Sequence, residues 1–108
     1  MIQEERNMAA EVLKAMAHPI RLGVIEVLAE GEKTVTELYE ALGCGQSAMS
    51  QQLKILCHQR LISIRKEGTL KYCSLCNRDF LKLFDCMHTH LRQYLNFKDT
   101  PPCDCDGL

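Results

Sequence analysis

Residues 34–57, TVTELYEALGCGQSAMSQQLKILC, restrict the possible folds of this chain more than any other stretch. Thr34-Val35-Thr36-Glu37 is a capping box, in which a hydroxyl and a carboxylate satisfy the orphan N–H groups of a helix start. It opens a short helix with Val35, Leu38 and Leu42 on its apolar side, closed by Gly43. After a four-residue link, Gly43-Cys44-Gly45-Gln46, a second helix begins, in which Met49, Leu53 and Leu56 fall at i, i+4 and i+7 and form one apolar stripe. Two short amphipathic helices across a tight glycine-containing turn predict a helix-turn-helix.

The opposite face of the second helix carries Ser47, Ser50, Gln51 and Lys54, with no acid among them. Hydroxyls, amides and a cation bond both phosphate oxygens and base edges, whereas a carboxylate there would repel the backbone. A solvated amphipathic face would show the same periodicity, so the neighbouring segments decide. LISIRK and LKYCSL alternate apolar and polar residues around a Glu67-Gly68 turn, which predicts a β-hairpin with Arg65, Lys66 and Lys71 toward its tip. A cationic hairpin directly after such a helix is a wing placed to straddle the phosphate backbone.

The remaining elements supply a core and a surface. Ala9, Val12, Leu13 and Met16 share one side of a first helix, with Glu4 and Glu5 near its start and Lys14 near its end, in accord with the helix dipole. Pro19 suits the first position of a second helix, whose Ile20, Leu22, Val24, Ile25, Val27 and Leu28 are apolar nearly all round; Gly31 ends it. Asn77 can cap a last helix with a stripe of Phe80, Leu83, Phe84, Met87, Leu91, Tyr94 and Leu95, too apolar for a surface that stays exposed. The expected fold is mainly α with a β-hairpin wing: a five-helix winged helix-turn-helix over residues 1–95, followed by a flexible cysteine-containing tail over 96–108.

A length of 108 residues fits one domain, and a net charge of −1 excludes coating nucleic acid by bulk charge, so any binding must come from a local basic face. No run is apolar enough to span a bilayer and no signal-peptide pattern is present, which makes a cytoplasmic location without membrane contact the expectation. Seven cysteines, an odd number without an export signal, point to thiol chemistry rather than a disulfide framework.

The order of elements, with Ala17-His18-Pro19-Ile20-Arg21-Leu22, Gln46-Ser47-Ala48-Met49-Ser50-Gln51-Gln52-Leu53 and the wing Arg65-Lys66-Glu67-Gly68, resembles the ArsR/SmtB family of winged-helix repressors over roughly residues 5–95. The resemblance implies a homodimer formed through the first and last helices, reading a pseudo-palindromic operator in double-stranded DNA and released by a metal ion or thiol oxidation. It adds Gln46 and Gln52 to the expected DNA face, Gln52 standing where the family often has histidine. It implies no obligatory cofactor, only a soft metal or metalloid ion as inducer.

The family places its sensing residues at several sites. One uses cysteines in the third helix, which here has none. Another spans the paired last helices; its positions correspond to Asn77, Asp79, His90 and Gln93, two of them poor ligands, which leaves Asp79 and His90 with help from Cys86 or His88. A third uses thiols: Cys103 and Cys105 in the tail, two apart, can reach one soft ion and be completed by Cys57 or Cys44 beside the recognition helix. Cys73 and Cys76 form a CxxC outside any thioredoxin-like context, and their sulfurs meet only if the strand ends near Leu75; otherwise Cys73 is a buried hydrophobe. Soft thiolates favour arsenite, cadmium, lead, mercury or copper(I), and the same thiols would serve a dithiol or persulfide switch. A CxxC reductase and a zinc-stabilised interaction module are the competing classes. The first lacks a cofactor fingerprint, and the second is unnecessary for a helical core of this size.

Overall fold

The computed structural model describes residues 1–96, so the tail thiols Cys103 and Cys105 lie outside the described residues. The elements are α1 (Gln3–Met16), α2 (Pro19–Leu28), β1 (Lys33–Thr34), α3 (Val35–Leu42), α4 (Gln46–His58), β2 (Ile62–Glu67), β3 (Leu70–Leu75) and α5 (Phe80–Asn96). The chain divides into a compact unit, Met1–Arg78, and a second that opens at Asp79 and contains α5.

The core of the first unit forms where the apolar periodicities of its helices meet. Val24, Ile25 and Leu28 from α2, Leu38 from α3, and Met49, Leu53 and Leu56 from α4 are buried together with Ile62 and Cys73 from the strands. The α4 stripe is the one expected from its spacing. Gly23 allows α2 and α3 to approach closely, since a Cβ there would stand 2.7 Å from Leu42 Cδ2. His18 caps α2 by accepting the Ile20 N–H on Nδ1 at 3.1 Å, and α2 ends at Leu28, three residues before Gly31.

The capping box at α3 is present: Glu37 N–H donates to Thr34 Oγ1 at 3.1 Å, and Thr34 N–H donates to Glu37 Oε1 at 3.0 Å. Gly43 takes φ 66°, in the left-handed region that favours glycine, which lets the Cys44 N–H donate back to the Tyr39 carbonyl at 3.1 Å. Helix α4 then starts at Gln46 with Gly45 as its N-cap, so Gln46 belongs to the helix and not to the link. At its far end Arg60 adopts φ 59° and the Leu61 N–H reaches the Leu56 carbonyl at 3.0 Å. This is the same helix stop as at Gly43, imposed on a residue with a side chain.

The wing is a three-stranded antiparallel sheet in the order β1-β3-β2, one strand more than the hairpin expected from the sequence. Lys33 pairs with Cys73 and Thr34 with Tyr72. Two residues are too few for alternation to show in a sequence. The short strand nonetheless joins the start of the helix-turn-helix to the wing.

In the second unit, α5 carries Leu83, Met87, Leu91, Tyr94 and Leu95 exposed along one side, at the spacing the sequence suggested. No helix among the described residues is long and apolar enough to cross a membrane.

Candidate nucleic-acid interface

Three elements of the first unit converge on one surface. A cleft of about 690 Å³ lies between α3, α4 and the wing, and its lining includes Gln46, Ser50, Lys54, Cys57 and His58 from α4 and Lys71 from β3. Ser47 and Gln51 are exposed on α4, which has no acidic residue over its whole length. The anchored face of α4 thus leaves its polar face to solvent.

Strand register decides which wing cations belong to this surface. Ile62 and Ile64 alternate with Ser63 and Arg65, so Lys66 shares the face of Ile62, which is buried. Across the ladder Lys66 opposes Lys71, on the same face as buried Cys73. Like charges directly opposite each other on one sheet face repel, and an anion lying between them removes the penalty. Lys54 and Lys71 line one cleft and Lys66 stands opposite Lys71 on the same sheet face, which gathers positive charge locally in a chain of net charge −1.

Two residues expected on this face are engaged elsewhere. Arg65 points to the other side of the sheet: its Nη2 donates to Glu32 Oε1 at 2.7 Å and its Nε to Glu32 Oε2 at 3.2 Å. Its Nη1 also pairs with Glu67, and its Cζ lies 4.5 Å from the Tyr72 ring centroid. The guanidinium holds the Glu32 carboxyl below the usual carboxylate range. Gln52 is half-buried, and its Oε1 accepts a 2.6 Å bond from Arg21 Nη1, while Arg21 Nε donates to the Ala15 carbonyl. Arg21 thus straps the end of α1 and the middle of α4 to α2. Alternation and helical spacing gave no sign of either link, since Arg65 is 33 residues from Glu32 and Arg21 is 31 from Gln52.

The described cysteines occupy three environments. Cys73 is fully buried, and burial first, with repulsion from Cys57 and Glu32 after it, pushes its thiol up to about 11. It is a core side chain, protonated at neutral pH. Cys57 is half-buried, and burial followed by repulsion from Cys76 raises it. Cys76 is exposed just beyond β3, which ends at Leu75, and its N–H bonds the Leu61 carbonyl at 3.0 Å. Of the Cys73/Cys76 pair, the structure buries the first, as the alternative reading of it expected, and exposes the second. In α5, Cys86 and His90 are exposed one helical turn apart. Among the described residues no group of three His, Cys, Asp or Glu is arranged to hold a metal ion.

Residues 18–63 match the model of the bacterial regulatory protein family arsR. The chain is 34% identical over 93 residues to a protein described as a transcriptional repressor SmtB homolog from Synechocystis, covering 86% of this chain and 70% of that protein. The crystal structure of NolR from Sinorhizobium fredii is similar at a TM-score of 0.71 and 36% identity, over 78% of this chain and 84% of that one. A homodimeric winged helix-turn-helix DNA-binding domain from Mycobacterium bovis, described as a possible ArsR-family regulator, matches at a TM-score of 0.75 and 29% identity, over 85% of each chain.

Proposed function

Because the chain belongs to the ArsR family of bacterial regulatory proteins, and is therefore a DNA-binding transcriptional regulator rather than an enzyme, we propose that it acts as a homodimeric repressor released from its operator by chemistry at its thiols. The observation that carries the reading is the shared cleft, in which Ser50, Lys54 and Lys71 meet beside Cys57. Ser47, Gln51 and Gln46 present base- and phosphate-bonding groups from α4, and Lys66 and Lys71 straddle a phosphate from the wing. The exposed α5 stripe supplies the dimer contact, because an apolar face of this length on a small regulator is covered by a second copy.

A thiol in the reading groove gives a direct route from signal to release, since charge or bulk added at Cys57 falls where the duplex would lie. A soft metal or metalloid ion at Cys57 would take its further thiolates from Cys103 and Cys105. The second reading is a dithiol or persulfide switch, which would join Cys57 of the cleft to exposed Cys76. Asp79, just before α5, with Cys86 and His90 on it, would be a third and weaker set of ligands, one that needs rearrangement or a second copy to close on an ion.

The test is a gel shift on the region upstream of the protein's own gene, titrated with arsenite, cadmium, lead and a persulfide donor. Retention by the reduced protein and release by one of these agents supports the reading. Cys103→Ser with Cys105→Ser, and separately Cys57→Ser, should abolish release by a metal. Cys76→Ser should abolish release by persulfide alone. Release that survives all of these substitutions would move the sensor away from these thiols.

A further inference from the structure

Arg65 carries a cation at the wing, which by sequence makes it a phosphate contact, yet its surroundings give it a different task. Glu32 takes two of its nitrogens in a fork, Glu67 takes a third, and the ring of Tyr72, its cross-strand partner, covers one face. One positive charge stands against two carboxylates, so the cluster as a whole is not attractive to an anion. It also lies on the face of the sheet opposite to Lys66 and Lys71. Glu32 immediately precedes β1, whose residues pair with Tyr72 and Cys73 of β3. The fork therefore joins β2 to the turn before β1 across the intervening strand.

We propose that Arg65 is a positioning residue of the DNA interface: by gripping Glu32 it fixes the wing relative to the helix-turn-helix, and it makes no phosphate contact of its own. The inference rests on the reading that α4 and the wing bind duplex DNA. Its consequence is that Glu32, an acid in a DNA-binding protein, supports binding. An isolated exposed ion pair contributes little, but a planar fork held between two carboxylates and a ring fixes one geometry. Without it, Lys66 and Lys71 keep their charges and lose their fixed distance from Lys54.

Fluorescence anisotropy with a labelled duplex, repeated over a range of salt, separates positioning from contact. Each phosphate contact contributes about 0.9 to the slope of log K against log salt, so Lys66→Ala should lower the slope by about that amount. Arg65→Ala should weaken binding about fivefold at fixed salt with the slope retained. Glu32→Gln should weaken it in the same direction, and the double variant should be no worse than Arg65→Ala alone. Arg65→Lys keeps the charge but not the fork and should not restore binding. A slope lowered by about 0.9 in Arg65→Ala, tighter binding by Glu32→Gln, or rescue by lysine would each overturn the proposal. Hydrogen exchange in the DNA-free protein tests the latch without DNA. Amides of β2 and β3 should exchange faster in Arg65→Ala and Glu32→Gln but not in Lys66→Ala, and equal exchange in all three would refute it. Absence of DNA binding by the wild type would instead remove the reading on which the inference rests.

Discussion

Leu53 and Lys54 are consecutive residues that α4 sets about 100° apart, the first into the core and the second toward solvent, so truncating each to alanine separates folding from DNA binding. Leu53 keeps 2% of its surface exposed. Leu53→Ala removes three buried carbons, a transfer loss of about 2.4 kcal/mol at roughly 0.8 kcal/mol each. The cavity left behind adds to this, and comparable core truncations span about 2–5 kcal/mol, so a loss of about 3 kcal/mol is expected. That is a large part of the roughly 5–15 kcal/mol by which a domain of this kind is stable. Lys54 is exposed, and Lys54→Ala should change stability by less than about 0.5 kcal/mol. Its effect belongs to DNA, where one lost phosphate contact lowers the salt slope by about 0.9. Urea denaturation followed by circular dichroism measures the first quantity, at one fixed protomer concentration because a dimer's stability depends on it. A salt series of anisotropy titrations measures the second. Equal destabilisation by both substitutions would refute the assignment of faces on α4. An unchanged salt slope in Lys54→Ala would refute its phosphate contact.

Three further outcomes are expected. Cys73 and Cys76 should differ sharply toward iodoacetamide at neutral pH: peptide mass spectrometry should find Cys76 alkylated and Cys73 protected in the native state, and equal labelling would contradict the buried position of Cys73. Because the folded thiol of Cys73 titrates near 11 against 9.0 for a free one, its contribution to stability is complete below pH 9 and is lost as pH rises toward 11, which denaturant midpoints over that range will show. Arg60→Gly relieves a left-handed backbone and should raise stability by roughly 0.5–1 kcal/mol, whereas Thr34→Ala removes the α3 cap and should lower it by about 1 kcal/mol; thermal melts of both variants check the opposite signs.

What could be read from the sequence follows from the range of each interaction. The α4 stripe and the Thr34–Glu37 box depend on residues within seven positions of each other, and both appear in the structure where periodicity and capping chemistry put them. The strand β1 was hidden because two residues carry no alternation, and its pairing partners Tyr72 and Cys73 lie far along the chain. The same distance concealed the partners of Arg65 and Gln52. A cation near a hairpin tip and an amide on a helix face read as free groups in the sequence, and the fold brings Glu32 and Arg21 beside them. Lys66 and Lys71 show the reverse case: their opposition across the ladder sets two cations together on one sheet face, which their sequence spacing did not show. The thiols follow this pattern as well. Spacing put Cys73 and Cys76 in one CxxC, while the fold buries the first and exposes the second just beyond the end of β3.

The most direct test of the account is selection of bound sequences from a random duplex pool by the wild-type protein. A dimer that reads DNA through α4 and the wing should enrich an inverted repeat whose half-sites lie about 10 base pairs apart or a multiple of that spacing. The triple substitution of Ser50, Gln51 and Lys54 to alanine should abolish the enrichment. No enrichment by the wild type, or the same enriched sequence from the triple variant, would contradict the assignment of α4 as the reading helix.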